Sequence, residues 1–490
     1  MMSPRTLTSR ACVAALLVLA FGLPISASSA QKLDRNKEPV AGKSPTLHVP
    51  KWTKTKLANG ADLIVVEKHD LPLVAFNLDF VGGAANYEPA GKLGLAQFTG
   101  QMLSEGTKTR TADQLSDAQQ ILGTSINASV GQEGGTIRFT SLSDKFEPAL
   151  ALLADMMLNS TFPDSALERI RGRTLVALTQ QKDQPNSIAQ SVFAKVTYGD
   201  AHPYGRVVNE NTVKAIARAD IVSFASSYFR PGRAVITVSG DIDPKSAKAI
   251  VERALAAWPQ GGERPSWVYG PVPAPKTREI YLVDKPKAAQ SVFAFGTPGP
   301  SRSTPDYYSI AVMNHILGGL FQSRLNHDIR EVKGYSYGVR SGFAFGHGPG
   351  AFQSGGSIVS AKTDSALIGF MTHFKGVQGA MPFTDNEVKQ GKESLIQSLP
   401  SRFASVNGTA AAISSIYTQD LPETFFQDYA NNINAVTKDD LTRAAKQYID
   451  WDHMNLIIVG DRATIEAPLK ATGIAPIQAM DVEGKPVTVP

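Results

Sequence analysis

The sequence predicts a mixed α/β chain that contains two copies of one unit of roughly 210 residues. A chain of 490 residues is longer than one hydrophobic core usually serves, so two or more domains are expected. The same landmarks recur 220 residues apart, because Asp220 and Gly240 reappear as Asp440 and Gly460. Between the copies lies a stretch rich in proline and glycine, residues 259–277, which is typical of a linker.

The composition is that of an ordinary soluble globular protein, with 42% hydrophobic and 19% charged residues. The net charge is +5 at pH 7, and Arg5 and Arg10 near the N-terminus supply two of these positive charges. The remaining charge is small and dispersed, and no basic run is interleaved with aromatic residues. We therefore expect no binding of nucleic acid.

The first 30 residues have the pattern of a secretory signal peptide. A charged beginning leads into the apolar run Ala11–Leu23, and small residues that end at Ala30 offer a cleavage site. The apolar run is shorter than the ~20 residues that span a bilayer, so we expect cleavage after Ala30 and no membrane insertion. The expected location is the periplasm or another exported compartment. The only cysteine, Cys12, lies in this segment, so the mature chain would contain no disulfide.

Residues 31–50 are polar and lysine-rich and predict a flexible lead-in to a first domain, residues 51–258. An Asn59-Gly60 pair predicts a hairpin at the start of that domain. Strand-like runs follow at Leu63–Val66, Leu73–Val81, Ser125–Val130, Thr136–Leu142 and Ala234–Ser239. Helical patterns occupy Gly94–Leu103, Thr111–Leu122, Phe146–Leu158, Asp164–Gln181 and Asp220–Tyr228. The second domain is predicted over residues 278–468, where Gln290–Phe295 corresponds to Leu73–Val81, and residues 469–490 form a tail.

The predicted helix at Gly94–Leu103 is informative for the chemistry that it lacks. Its apolar residues fall at i, i+3 and i+7, so one stripe would press into a core. Gln97 and Gln101 are four residues apart and would project together from the same helix. Two histidines at that spacing, with a glutamate just before the second, would form a zinc-hydrolase site. An ordinary core helix with solvated glutamines is the favoured interpretation of these ten residues alone.

The flanking residues change that interpretation. The run Gly94–Leu103, together with Glu105–Lys108 after it, closely resembles the zinc-site helix of the insulinase/pitrilysin metallopeptidases. Those enzymes carry an inverted H-x-x-E-H signature. The resemblance places Gln97 and Gln101 at the two histidines and Gly100 at the catalytic glutamate, while the third zinc ligand falls on Ala177. It therefore implies a family member without the zinc-binding motif and with no cofactor in this chain. The implied fold is an α+β sandwich of two homologous domains, each a mostly antiparallel sheet covered by helices.

Two further stretches are similar to the same family, and the resemblance covers about residues 50–465. Tyr198–Arg206 resembles its G-x-H-P-Y-G-R segment, and Ser323–Tyr337 resembles its R-L-x-x-x-I-R-E-x-x-G-x-x-Y segment. His202 lies in the first of these, but a histidine before a proline in a tight turn more often has a structural role. Neither His315 nor His327 has a partner at a zinc-like spacing.

The resemblance also implies two groups of site residues. Arg330 and Tyr337 match an arginine and a tyrosine that reach the peptide at the zinc in that family. A guanidinium and a phenol O–H can stabilise the negative charge that develops on the carbonyl oxygen during hydrolysis. Without the resemblance, a surface ion pair and a strand-packing tyrosine would be the favoured interpretation. The candidate substrate-binding residues match the edge strand that pairs with bound peptide. They are Ser125, Ile126, Asn127 and Ala128.

The leading functional hypothesis is a zinc-less, non-catalytic subunit of an exported heterodimeric zinc endopeptidase. A paralogous subunit with the H-x-x-E-H motif would carry the zinc, and this chain would add Arg330 and Tyr337 to the partner's active site around enclosed peptides. One alternative is a peptide-binding or scaffold protein without a proteolytic role. Another is a stand-alone hydrolase, which is less favoured because no nucleophile–base constellation stands out.

Overall fold

The computed structural model describes residues 47–488 except 268, 271 and 274–276. The predicted signal peptide, residues 1–30, lies outside the described residues. The strands are Thr53–Lys56 (β1), Asp62–Glu67 (β2), Leu73–Val81 (β3), Asn127–Val130 (β4), Gly134–Leu142 (β5), Ala234–Gly240 (β6), Glu279–Asp284 (β7), Gln290–Pro298 (β8), Ser336–Ala344 (β9), Ala351–Val359 (β10), Asn455–Gly460 (β11) and Ile477–Met480 (β12).

Among the described residues, nine α-helices precede the predicted linker and eight follow it. They are Ala84–Tyr87 (α1), Leu95–Met102 (α2), Ala112–Ile121 (α3), Phe146–Asn159 (α4), Asp164–Gln181 (α5), Pro185–Tyr198 (α6), Glu210–Lys214 (α7), Arg218–Tyr228 (α8), Pro244–Ala254 (α9), Tyr307–Asn314 (α10), Arg324–Asn326 (α11), Thr363–Lys375 (α12), Asp385–Arg402 (α13), Val406–Thr418 (α14), Phe425–Ala435 (α15), Lys438–Tyr448 (α16) and Arg462–Ala471 (α17). Wider π-helical turns occupy His315–Gly319, His327–Val332 and Gly376–Ala380.

The strands form two six-stranded sheets with matching topology, and this confirms the predicted fold class. The first sheet has the order β1-β2-β6-β3-β5-β4 and the second has the order β12-β7-β11-β8-β10-β9. Five strands of each sheet occupy equivalent places, with β2 parallel to β6 and β7 parallel to β11. All the other pairs are antiparallel, except that β12 is parallel to β7.

The sixth strand of each sheet comes from a different end of the chain. In the first sheet it is β1, which the Asn59-Gly60 turn joins to β2 as predicted. Gly60 has a φ of 97°, a conformation that glycine adopts without strain. In the second sheet it is β12, which lies within residues 469–490, the segment that the sequence predicted to be a tail. At the other end of the described chain, Leu47 and Val49 pack against the second core although they belong to the predicted flexible lead-in.

The alternating pattern of β3 places its two sets of side chains on opposite faces of the first sheet. Val74, Phe76, Leu78 and Phe80 enter the main core of the first half. On the opposite face, Ala75 lies beside Asn77 and Asp79, and α14 of the second half covers these residues. The sequence analysis placed no helix at α14, and it is the helix that closes this face.

Each half covers the sheet of the other half with one helix. Helix α6 of the first half packs on β8 and β11, and α14 of the second half packs on β3 and β6. Both helices were missed in the sequence. They start 221 residues apart, at Pro185 and Val406, so they are equivalent elements of the repeat. The halves are therefore joined by a reciprocal exchange of helices as well as by the linker.

The two exchanged contacts differ in polarity. Against the second sheet, Ile188 and Phe193 of α6 are buried among aliphatic side chains of β8 and β11. A Cβ on Gly296 would lie 2.9 Å from the ring of Phe193, so the ring rests directly on that glycine. Against the first sheet, Ser414 of α14 donates a hydrogen bond to the buried carboxyl of Asp79. Burial raises the pKa of Asp79, whereas the hydrogen bond from Ser414 favours the carboxylate.

The segment around the predicted linker is bound to the second half where it is described. Arg264 forms an ion pair with Asp420 at 2.7 Å. Trp267 stacks on His347 with ring centres 3.8 Å apart and planes 3° from parallel.

Among the described residues, no helix has the length and apolar character that crossing a bilayer requires.

We expect Phe193→Ala to lower the free energy of unfolding by about 3–5 kcal/mol, because it removes a buried ring from the exchanged contact. Urea denaturation followed by both tryptophan fluorescence and circular dichroism measures this change. The control is Ile121→Ala, since Ile121 is 82% exposed and its loss should change stability by only about 0.5 kcal/mol. A Phe193→Ala cost no larger than that of the control would contradict the role of the exchanged helix.

Candidate functional site

The helix with the two glutamines forms as predicted and is fixed at its first turn by a residue that the sequence analysis did not single out. Glu88 accepts hydrogen bonds from the backbone N–H groups of Gly94 and Ala96, each at 2.9 Å. These donors would otherwise be unpaired at the start of α2. Burial raises the pKa of Glu88, although these N–H groups favour the carboxylate. The apolar stripe of α2 is buried, while Gln97 is exposed and Gln101 half-buried.

The four positions of the degenerate zinc motif come together in one cavity of about 980 Å³. Gln97, Gly100 and Gln101 of α2 line one side, and Ala177 of α5 lines another. Glu105 is the one carboxylate among the described lining residues, and it is paired with Arg169. Nowhere in the described part of the chain do three histidine, cysteine or carboxylate side chains form a group that could hold a metal. The residues present therefore do not fit a zinc ion.

Gly100 brings α2 unusually close to the edge strand β4. A Cβ at Gly100 would lie 3.2 Å from Cα of Ser129 and 3.3 Å from the backbone nitrogen of Val130. Any side chain at this position would push the helix and the strand apart. A similar close approach occurs in the second half at Gly318, whose Cβ would lie 2.6 Å from the backbone nitrogen of Ser341 on edge strand β9. Both halves thus use a glycine to pack a helix against an edge strand.

The predicted substrate-binding residues divide between two cavities. Ile126, Asn127 and Ala128 line the same cavity as the glutamines. Ser125 instead lines a neighbouring cavity of about 700 Å³. Strand β4 lies at the edge of the first sheet, so its outer side has no neighbouring strand. An edge strand beside a cavity is the arrangement that lets an extended peptide add to a sheet.

Arg330 and Tyr337 lie in the second half and do not line the cavity of the first half. The guanidinium of Arg330 is 4.5 Å from the ring centre of Phe321, and its Nε is 3.4 Å from the carboxylate of Glu331. Tyr337 lies on β9 and is 89% exposed. The strand-packing alternative therefore does not describe Tyr337, because its ring projects into solvent.

A β-bulge directs Tyr337 outward. Ser336 pairs with Ile358 and Val339 pairs with Gly356, so β9 contains one residue more than β10 over this stretch. The hydroxyl of Ser336 donates to the carbonyl of Ser357 at 2.7 Å and accepts from the N–H of Gly338 at 3.0 Å. These bonds hold the bulge in place. Bulges at sheet edges commonly redirect a side chain beside a functional site.

His202 has a structural environment, as its turn predicted. Its side chain is buried, and its Nδ1 accepts the N–H of Tyr204 at 3.1 Å. The ring stacks on Tyr198 with centres 5.3 Å apart. Burial lowers the pKa of His202, which keeps the imidazole neutral. His202 does not line the cavity.

Comparison with known proteins places this architecture in a family. The model of the insulinase family, peptidase family M16, matches residues 64–206. The model of the M16 inactive domain matches residues 215–395. Together the two models cover roughly two thirds of the chain. The chain belongs to the insulinase family. The prediction of a member without the zinc-binding motif is confirmed, because Gln97, Gly100 and Gln101 occupy the motif within the matched region.

Three curated relatives of the insulinase family illustrate the range of similarity. An uncharacterized zinc protease YmxG of Bacillus subtilis is 26% identical over 58% of this chain and 68% of its own length. An uncharacterized zinc protease of Mycobacterium leprae is 29% identical over 54% of this chain, which spans about three fifths (59%) of that relative. A non-peptidase homolog YmxG of Helicobacter pylori is 24% identical over 91% of this chain and 97% of its own length.

Solved structures share the fold of the whole insulinase-like unit. The M16 inactive domain from Pseudomonas fluorescens superposes with a TM-score of 0.76 at 26% identity, over 84% of this chain and 98% of that one. The periplasmic protease PqqL from Escherichia coli superposes with a TM-score of 0.71 at 16% identity, over 94% of this chain and 50% of that one.

Arg173 and Gln181 also line the cavity, and the sequence analysis did not single them out. They flank Ala177 at four residues on either side, and residues at this spacing share one face of a helix. The spacing from Ala177 alone could have identified them. No hydrogen bond or ion pair joins Arg173 to any other described residue.

We expect the purified wild-type chain to bind no stoichiometric zinc, because amides and a methyl group replace all three ligands. The triple variant Gln97→His, Gln101→His and Ala177→Glu should take up about one zinc per chain, since these positions already share one cavity. Peptide hydrolysis by this variant should stay weak or absent, because Gly100 still occupies the position of the catalytic glutamate. Residues that orient the zinc ligands through hydrogen bonds are not restored either. Metal analysis by mass spectrometry after dialysis measures both. Stoichiometric zinc in the wild type, or none in a folded triple variant, would contradict the assignment.

We expect Gly100→Ala to be less stable than Gly172→Ala by roughly 1–3 kcal/mol. Both glycines are helical, so alanine brings the same gain in helix propensity, about 1 kcal/mol, at either position. Gly172 has open space around a new Cβ, whereas Gly100 has the backbone of β4 in contact with it. Urea denaturation of the two single variants gives the difference directly. Equal stabilities of the two variants would contradict a tight contact between α2 and β4 at Gly100.

Proposed function

We propose that this chain is the zinc-less subunit of an exported, heterodimeric zinc endopeptidase of the insulinase family. Its partner would be a paralogous chain that carries the H-x-x-E-H motif and the zinc. This chain would help to enclose peptide substrates and would supply Arg330 and Tyr337 to the partner's active site. The comparisons support the coarser statement that it is a non-catalytic member of the family.

The exposure of Tyr337 is the observation that carries the proposal. Within the chain, the phenol is 89% exposed on a bulged edge strand and does not line the chain's own cavity. A tyrosine in this position can donate its O–H only to a group outside the chain's own degenerate site. A developing oxyanion at the zinc of a second chain has the chemistry that such a donor stabilises. Arg330, seven residues earlier, would add a fixed positive charge.

The cavity of the first half supports a retained role in peptide binding. It keeps a volume of about 980 Å³ beside the edge strand β4, although the metal ligands are replaced. The side-chain amides of Gln97 and Gln101 can donate to peptide carbonyls and accept from peptide N–H groups. This cavity also favours the second candidate function, a peptide-binding protein without a proteolytic role. The signal-like pattern of residues 1–30 supports export to the periplasm or a similar compartment.

The partner can be identified by purifying the tagged chain from its native source under mild conditions. We expect an insulinase-family chain with an intact H-x-x-E-H motif to co-purify in equal amount. Peptide cleavage by the reconstituted pair then gives the reference activity. Recovery of only the tagged chain, together with tight binding of peptides, would instead support the binding protein without proteolysis.

In the reconstituted pair, we expect Tyr337→Phe to lower kcat about 100- to 1000-fold, because one oxyanion donor is lost. Arg330→Lys should raise KM as well as slow turnover, since lysine lacks the planar fork of the guanidinium. The control is Tyr335→Phe, because the ring of Tyr335 packs against the second core. That variant should keep near wild-type activity.

Assembly must be measured in parallel, because a lost partner would also abolish cleavage. Tyr337→Phe removes one hydroxyl and almost no apolar area, so size-exclusion chromatography should give an unchanged complex. Full activity of an assembled Tyr337→Phe pair would exclude Tyr337 from the chemistry and leave this chain an architectural role.

A further inference from the structure

One face of α5 forms a wall of the cavity beside the lost zinc position. The residues that it contributes recur every three or four positions, as one face of a helix does. They are Ile170, Arg173, Thr174, Ala177, Leu178 and Gln181. Arg173 precedes Ala177 by four residues, so its guanidinium projects from the same face as the position of the third zinc ligand. The cavity therefore contains a cation one helical turn from Ala177, the position at which the resemblance places the third zinc ligand.

No carboxylate among the described residues that line this cavity forms an ion pair with Arg173. Glu105 is the one carboxylate among the described lining residues, and Arg169 already pairs with it. Arg206, the other cation of the wall, donates to the carbonyl of Ala201 at 3.1 Å. Arg173 is exposed and has no hydrogen bond or ion pair with any described residue.

The adjoining cavity does not supply a counter-charge. That cavity, of about 520 Å³, is lined by the carboxylates of Asp200, Glu210 and Glu483. Glu210 and Glu483 are 3.3 and 3.0 Å from the ammonium of Lys182, so they are paired as well. Among the described residues, Asp200 forms no ion pair with Arg173. A planar guanidinium with free donors is the side chain that binds a carboxylate through two parallel hydrogen bonds. Arg173 can therefore bind an anion that the described chain does not itself supply.

The remaining polar groups of the cavity are suited to a peptide main chain. The side-chain amides of Gln97, Gln101 and Gln181 form no hydrogen bond with another described residue. Two other glutamines of the wall are already engaged, since Gln132 donates to the carbonyl of Pro203 at 3.2 Å and Gln190 accepts from Gln353 at 3.0 Å. The unengaged amides can pair with successive peptide groups, because each amide both donates and accepts.

We infer that the cavity selects peptides that place a carboxylate against Arg173, while Gln97, Gln101 and Gln181 hold the main chain. This inference rests on the proposed peptide-binding function and adds a substrate class to it. The carboxylate can come from an aspartate or glutamate side chain or from the C-terminus of the peptide. In either case, the positive charge that zinc supplies in catalytic relatives is replaced here by a guanidinium that binds and does not hydrolyse.

Three short, unlabelled, N-acetylated peptides of glycine, serine and valine test the inference by isothermal titration calorimetry with the purified full chain. The first has a central Glu and an amidated C-terminus, and the second has Gln at that position. The third has the central Gln and a free C-terminal carboxylate. We expect the Glu peptide, the free-carboxylate peptide, or both to bind about three- to tenfold more tightly than the uncharged peptide. The preference should shrink as salt is raised.

Arg173→Gln should abolish this preference and leave the affinity for the uncharged peptide unchanged. The matched control is Arg253→Gln, because Arg253 lies on α9 and pairs with Glu147 away from the cavity. It should keep the wild-type preference. Equal binding of all three peptides, or a preference that survives Arg173→Gln, would overturn the carboxylate selection alone. Failure of the wild type to bind any of the three would overturn the inference and the peptide-binding role together.

Discussion

The reciprocal exchange of α6 and α14 is the contact on which the rest of the structure depends. Each helix closes the open face of a sheet that belongs to the other half, so neither half has a complete core by itself. The contact of α6 is apolar and buries Phe193, while that of α14 includes the buried carboxyl of Asp79. The linker residue Trp267 is fixed against the second half as well. The cavity and the bulged strand β9 therefore belong to one continuous framework.

Within that framework, the two halves share a close contact between a glycine and an edge strand. Gly100 and Gly318 each let a helix approach an edge strand to a distance that a side chain would prevent. The matching model for the second half is described as an inactive domain. In the first half, Gly100 stands where the resemblance places the catalytic glutamate, so this position offers no general base. The same glycine allows α2 to lie close to β4.

The sites of the two halves differ in what they retain. The cavity of the first half lies beside an edge strand, with amides at two of the metal-ligand positions and Arg173 in the same wall. The second half keeps Tyr337, which the Ser336-stabilised bulge directs into solvent. The first arrangement is suited to holding a peptide and the second to acting on a group outside the chain. This division is the one that the proposed role as a subunit would require.

The sequence by itself determined the duplication, the α+β class, the helix of Gln97 and Gln101, and the absence of zinc ligands. These features follow from local periodicity, from repeated landmarks and from side-chain chemistry at known spacings. Only the tertiary structure decided which helix covers which sheet, because the apolar face of α6 fits either sheet equally well as a pattern. The exposure of Tyr337 likewise depended on a mismatch of one residue between β9 and β10, which strand periodicity cannot reveal. The unpaired state of Arg173 depended on where every nearby carboxylate lies in space, and sequence spacing does not contain that information.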